Sequence, residues 1–189
     1  VGLENAGVEM GDRGRVAVDD HMKTNVDNIY AIGDIVNTPF LAHVATKEGF
    51  VAIDNMMGGD KAATYHAVPG CVFTTPEIAN VGKMEWQLQK EGKELGKDYR
   101  TGTFDFKGLG KAQASGHIAG FVKVIADMDD TLIGAEIVGA RASDMLQVLT
   151  TGVQLKMKVE DLADCIFPHP TMCEAVMEAL HDVHGMSTM

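Results

Sequence analysis

A chain of 189 residues, 46% hydrophobic and 23% charged, has room for one large domain or one and a half and reads as globular and soluble. Its 16 basic residues stand against 27 acidic ones, a formal net charge of -11, which argues against nucleic acid or an anionic membrane as partner, since basic patches hold both. No apolar run approaches the length of a membrane span.

In chain order, Val1-Gly2-Leu3-Glu4-Asn5 has neither a basic nor an apolar leader region, and the abrupt start without Met suggests a fragment. Arg15-Val16-Ala17-Val18-Asp19 alternates behind a turn-rich stretch, which predicts a short strand. Ile29-Tyr30-Ala31-Ile32 is continuously apolar, as suits a buried parallel strand. It ends in Gly33-Asp34, which presents a carboxylate at the strand's carboxyl end, where open α/β sheets bind ligands. A loop with Pro39 leads to a helix predicted over 42–57. Val44, Ala45, Val51, Ala52, Met56 and Met57 supply its apolar surface, and Gly58-Gly59 ends it. One strand–loop–helix unit is too little for a doubly wound domain, so 1–66 is expected to be a partial α/β segment whose main part lies upstream.

From about 67 the pattern becomes α+β: a mostly antiparallel sheet with packed helices. Strands are predicted over 71–74, 78–81, 99–106, 121–126 and 132–138, with a turn or bulge at Thr75-Pro76-Glu77. Helices are predicted over 84–95, ended by Gly96, and over 143–157, with Ser143 as N-cap. A short acidic helix follows at 160–163. A last helix runs to about 184, with Met172, Val176, Leu180 and Val183 forming one buried stripe. The two domains are thus expected at 1–66 and 67–189.

The three cysteines, Cys71, Cys165 and Cys173, form no close pair, so neither a disulfide framework nor a metal site is indicated. Each is expected as a small core hydrophobe in a reducing, cytoplasmic setting. The sharpest chemical feature is Phe167-Pro168-His169-Pro170-Thr171-Met172-Cys173-Glu174. Pro170 suits the first turn of a helix and pushes His169 onto extended backbone outside it, with Glu174 inside. Spacing alone leaves two readings open. One is an imidazole held by a carboxylate as an acid/base. The other is a histidine satisfied near a helix start, with Glu174 favouring the dipole. No GxGxxG, Walker loop, HExxH or GxSxG is present.

Taken together, TNVDNIYAIGD, PFLAH, FTTPEIANVG, GFVKVI, IGAEIVGARASDML and FPHPTMCEA resemble, in order and spacing, the carboxyl-terminal part of the pyridine nucleotide–disulfide oxidoreductases. The resemblance covers essentially the whole chain. Within the family it is most similar to the branch that oxidises dihydrolipoamide, since Met172-Cys173-Glu174-Ala175 looks closer to that branch than to the glutathione one. The resemblance implies an FAD- and NAD-dependent homodimeric enzyme. Gly33 and Asp34 would lie in its second flavin motif, with Asp34 on the ribityl chain. The backbone of Phe40, Leu41, Ala42 and His43 would approach the flavin ring. His169, oriented by Glu174, would be the acid/base acting across the dimer on the partner's redox disulfide. The implied partner is a lipoyl-bearing protein of a 2-oxo acid dehydrogenase or glycine cleavage complex. Phe167 stands where the family often has histidine, and Cys173 where serine is usual. The amino-terminal flavin loop, the CxxxxC pair and most of the NAD domain are absent, so this chain alone is expected to be inactive. A glutathione-reductase-like disulfide reductase and an autonomous dimerisation module are the alternative readings.

Overall fold

A computed structural model describes residues 2–188. The chain divides between Tyr65 and His66 into two compact units.

The first unit is mostly turns and bridges around one long helix, α1 (Ala42–Met56). Its chain enters the helix through Leu41 in extended conformation. The helix stops at Met57, and Gly58 follows at φ +87°, the left-handed step that suits a glycine after a helix end. Two small cores hold this unit. Val8, Val16, Ala31 and Val36 form one, and Met22, Val51 and Ala52 form the other. The predicted strands at Arg15–Asp19 and Ile29–Ile32 shrink to single bridges: Met10↔Val16, Val16↔Val36 and Lys23↔Tyr30. A parallel strand is stable between neighbours that cover its edges and faces, and the described residues offer it no such sheet. Only half of α1 follows the expected burial. Val44, Val51 and Ala52 face inward, whereas Phe50, Ile53, Met56 and Met57 are exposed.

The second unit is α+β, as the sequence indicates. Its five strands are β1 (Gly70–Val72), β2 (Glu77–Gly82), β3 (Tyr99–Asp105), β4 (Gly120–Asp127) and β5 (Leu132–Gly139). They form one sheet in the order β1-β2-β5-β4-β3, every pairing antiparallel. Alternation decides what each face carries. On β4, Val122, Val124 and Ala126 point into the main core, while Lys123 on the other face pairs with Glu85. The core face is covered by α4 (Ala142–Leu155), against β2 and β5, and α6 (Glu174–Asp182), against β3 and β4. The predicted stripe on α6 is buried, with Val176 and Leu180 fully so. Gly102 on β3 lies so close to α6 that a Cβ there would stand 2.5 Å from the Val183 nitrogen and nearer still to the Ala179 carbonyl oxygen.

Helix limits differ in instructive ways. The polar helix α2 (Glu85–Lys90) ends early because Gly92, at φ +78°, turns the chain before Gly96 is reached. A further helix, α3 (Gly110–Ser115), lies where no element was expected. A short α5 (Val159–Ala163) connects to the segment before α6. Ser143 is not the N-cap of α4. Arg141 holds that place at φ +61°, and both the Ser143 amide and hydroxyl donate to the Glu77 carboxylate on β2, at 3.0 and 2.7 Å. The Ser143 amide first, then its hydroxyl, and lastly the Arg141 charge hold Glu77 below the usual carboxylate value of 4.5. A depressed folded-state value contributes stability that is present above the unfolded value and lost as pH falls through the folded one. Thermal melts should therefore show part of the acid loss below about pH 4.5 disappear in Glu77→Gln, with the variant less stable than wild type by about 1 kcal/mol at pH 7. Identical acid profiles would remove Glu77 from that role.

Candidate active site

The segment ahead of α6 brings His169 and Glu174 together. Glu174 opens the helix, where its charge favours the positive end of the helix dipole. One carboxylate oxygen, Oε1, lies 2.7 Å from His169 Nδ1, and the other accepts the Thr171 amide at 2.8 Å. The Thr171 hydroxyl donates back to the Pro168 carbonyl at 2.7 Å, which closes the bend. Pro170 does not enter the helix as its spacing suggested. The turn at Met172-Cys173 intervenes, and His169 sits in a bend.

Burial divides the pair. The Glu174 side chain is 6% exposed and the His169 side chain 77%. A carboxylate can only accept, so the bond to Nδ1 fixes the neutral ring as the tautomer with Nδ1–H donating and Nε2 open to solvent. The arrangement is a base with its acceptor nitrogen presented outward and its other nitrogen anchored from below.

The cysteines supply no nucleophile for it here, and all three are free. Burial first, and then the Asp144 carboxylate, push the Cys173 thiol above its ordinary value. Burial and Glu77 do the same to Cys71. Both therefore stay as protonated thiols packed against the main core. Cys165 departs from the expectation of a core residue: it is exposed, with Sγ 3.5 Å from the Asp161 carbonyl oxygen.

The other candidates lie in the first unit. Gly33 adopts φ +70° at the end of the Ile29–Ile32 run, and Asp34 follows it exposed. Phe40, Ala42 and His43 are exposed around the start of α1, and Leu41 is half-buried. The Leu41 side chain does not cap that helix end, and its first turn holds no acidic residue. Arg15 lies over the Phe40 ring, 3.9 Å from its centroid. Thr38 Oγ1 is buried with no hydrogen-bond partner among the described residues. Sequence reasoning missed Glu48. It is fully buried on α1, accepts the Gly33 amide on Oε2 at 2.7 Å and accepts the Tyr65 hydroxyl on Oε1 at 2.9 Å. Its signal was a charge on the inward stripe of Val44, Val51 and Ala52. Elsewhere in this unit Asp19, Asp20 and His21 cluster at the surface. Both ring nitrogens of His21 are already taken, by Asp20 at 2.9 Å and Asp60 at 3.1 Å.

Comparison with known proteins bears on both units. The pyridine nucleotide-disulphide oxidoreductase dimerisation domain matches residues 68–180, and a second pyridine nucleotide-disulphide oxidoreductase family matches residues 1–49. The dihydrolipoyl dehydrogenase of Haloferax volcanii is 43% identical over 187 residues, 98% of this chain and 38% of that protein. That of Bacillus subtilis is 44% identical over 180 residues, 95% of this chain and 37% of that protein. Among solved structures, LpdA from Mycobacterium tuberculosis superposes with a TM-score of 0.87 at 28% identity, covering 95% of this chain and 39% of that one. The Cu(II) complex of the HOCl-induced flavoprotein disulfide reductase RclA from Escherichia coli gives 0.83 at 27% identity, covering 94% and 40%. The chain thus spans about two fifths of the relatives it matches.

Proposed function

This chain belongs to the pyridine nucleotide-disulphide oxidoreductases and carries their dimerisation domain, and on that premise we propose that it supplies the acid/base and the dimer interface of a dihydrolipoyl dehydrogenase. The observation that carries the proposal is the 2.7 Å pair of exposed His169 and buried Glu174 in a chain whose cysteines are too far apart in sequence to form a CxxxxC pair. A thiol reacts as its thiolate, so a base must take its proton as it attacks a disulfide. His169 Nε2 takes that proton from dihydrolipoamide, and Glu174 holds the ring in the tautomer that leaves Nε2 free and then stabilises the imidazolium. The disulfide comes from the other subunit. This explains why neither Cys71 nor Cys173 needs to be reactive.

Two features of the first unit suit FAD. Asp34 offers an exposed acceptor for ribityl hydroxyls, and the amino end of α1, with no acidic residue in its first turn, favours negative charge at Phe40, Leu41, Ala42 and His43. The unpartnered Thr38 hydroxyl between them is a further group a ligand would satisfy. When bound, FAD would carry the electron pair from the dithiol, formed as dihydrolipoamide reduces the disulfide, to NAD. The outward apolar side chains of α1 are those of a helix buried in a larger flavin domain, of which 1–66 would be one part and 67–189 the interface domain. No described helix is long and apolar enough to cross a membrane. Three unpaired thiols suit a reducing cytoplasm, and the partner would be a lipoyl-bearing protein of a 2-oxo acid dehydrogenase or glycine cleavage complex.

The complete polypeptide is expected to be yellow and to reduce NAD with dihydrolipoamide but not with glutathione. A colourless protein, or one that prefers glutathione, would overturn the proposal. Phe73 and Ile166, 80% and 100% exposed in the second unit, mark apolar surface for a second copy. Sedimentation of the chain itself should give twice the chain mass, and a strict monomer would count against the interface.

A further inference from the structure

We infer that Glu48 is a positioning residue for the flavin, its buried carboxylate bracing the Gly33 turn against α1 and so setting where Asp34 stands. The inference rests on the flavin reading above and extends it to a residue that touches no ligand.

The two groups proposed to hold FAD lie on different pieces of chain. One is Asp34, just after the Gly33 turn. The other is the amino end of α1. Glu48 is the side chain that joins them. It sits on α1, fully buried, and its Oε2 takes the Gly33 amide at 2.7 Å. That amide belongs to the residue next to Asp34, so the bond fixes the spacing between the carboxylate and the helix end. Sterics add to it. Gly33 is at φ +70°, and a Cβ there would lie 3.3 Å from the Ala45 Cβ, so the turn rests directly on the helix. The second oxygen, Oε1, is tied by the Tyr65 hydroxyl at 2.9 Å. Burial first, and then Glu48, push the Tyr65 phenol upward, so it remains a donor at neutral pH. Both oxygens are thereby held, and the carboxylate has little freedom to rotate.

A burial role alone does not explain this residue. Val44, Val51 and Ala52 share its face of α1, and an apolar side chain there would pack without the desolvation cost of a carboxylate. What an apolar residue lacks is an acceptor for the Gly33 amide.

That difference provides the test. Glu48→Met should keep the fold at a lowered melting temperature, since the Gly33 amide and the Tyr65 hydroxyl lose their acceptor. In the complete polypeptide it should weaken FAD binding by about tenfold or more, the scale of one lost hydrogen bond to a charged group. Glu48→Gln keeps an oxygen for Gly33 while its NH2 donates to the Tyr65 oxygen, and should stay within about threefold of wild type. In the present chain, without flavin, the Gly33 amide should be protected from hydrogen exchange in wild type and lose that protection in Glu48→Met. An FAD affinity unchanged in Glu48→Met would overturn the inference. So would Glu48→Gln as impaired as Glu48→Met, since charge rather than the bond would then matter. Should Glu48→Met not fold, the wild-type Gly33 amide decides: rapid exchange there overturns the brace. If the complete wild-type polypeptide binds no FAD, the flavin reading fails, while the exchange measurement still reports on the brace itself.

Discussion

Replacing His169 with Gln in the complete polypeptide should cut turnover of dihydrolipoamide by about 10²–10⁴-fold while flavin content stays normal. Gln fills a similar volume and can still hydrogen-bond Glu174, so the segment ahead of α6 should keep its path. What disappears is the ring nitrogen that accepts the proton, because the amide has no basic nitrogen. Glu174→Gln should also cost turnover, through the tautomer. The Thr171 amide at 2.8 Å takes the carboxamide oxygen, so the NH2 faces His169 Nδ1 at 2.7 Å and the neutral ring then carries its proton on Nε2, where the base is needed. The negative charge that steadies the imidazolium is lost as well. Steady-state rates with dihydrolipoamide and NAD, beside flavin absorbance, measure both effects. Turnover of His169→Gln within a few-fold of wild type would end the acid/base assignment.

The largest structural effect is expected at Gly102. A methyl group there would collide with the backbone of α6 at Ala179 and Val183. The colliding atoms are main-chain atoms in a hydrogen-bonded helix, which cannot move aside as a flexible side chain would. Overpacking commonly costs about 1–3 kcal/mol, and a clash with backbone belongs at the top of that range or beyond it. Gly102→Ala should therefore lower the melting temperature of the second unit by about 10 °C, and Gly102→Val should leave it largely unfolded. The damage also reaches the site, because α6 carries Glu174. A partly folded Gly102→Ala should lose activity together with stability. A melting temperature within 2 °C of wild type would show that the strand and helix can separate at little cost.

Features that rest on neighbours in the sequence were the legible ones. His169 and Glu174 are five residues apart, so a motif sufficed to pair them, and the stripe on α6 follows helical spacing. The α+β character of the second unit came through because its β-rich runs alternate or sit between turn signals. Contacts between distant segments were not legible. Glu48 meets Gly33 across fifteen residues, and Glu77 meets Ser143 across sixty-six. Ser143 read as an N-cap because serine commonly serves there, but the strand carboxylate competes for its hydroxyl. The Ile29–Ile32 run has a strand's composition, yet a strand's existence depends on partners that composition does not supply. Gly102 did carry a signal, since glycine inside a strand often marks a close approach of another backbone.

The Glu77 contact with α4 also bears on where a negatively charged guest can settle. Helix amino ends attract anions, and the two longest helices of the second unit have theirs occupied by the protein's own carboxylates: Glu77 at α4 and Glu174 at α6. The chain as a whole is strongly acidic, at -11, and repels anions at long range. At α1 the first turn carries no acidic residue and Leu41 makes no side-chain cap, so a negatively charged guest there meets no carboxylate of that turn. Selectivity for one binding position thus comes partly from filling the others in advance. Glu77→Gln would keep an acceptor for Ser143 but remove the charge at the end of α4, and with it part of that exclusion.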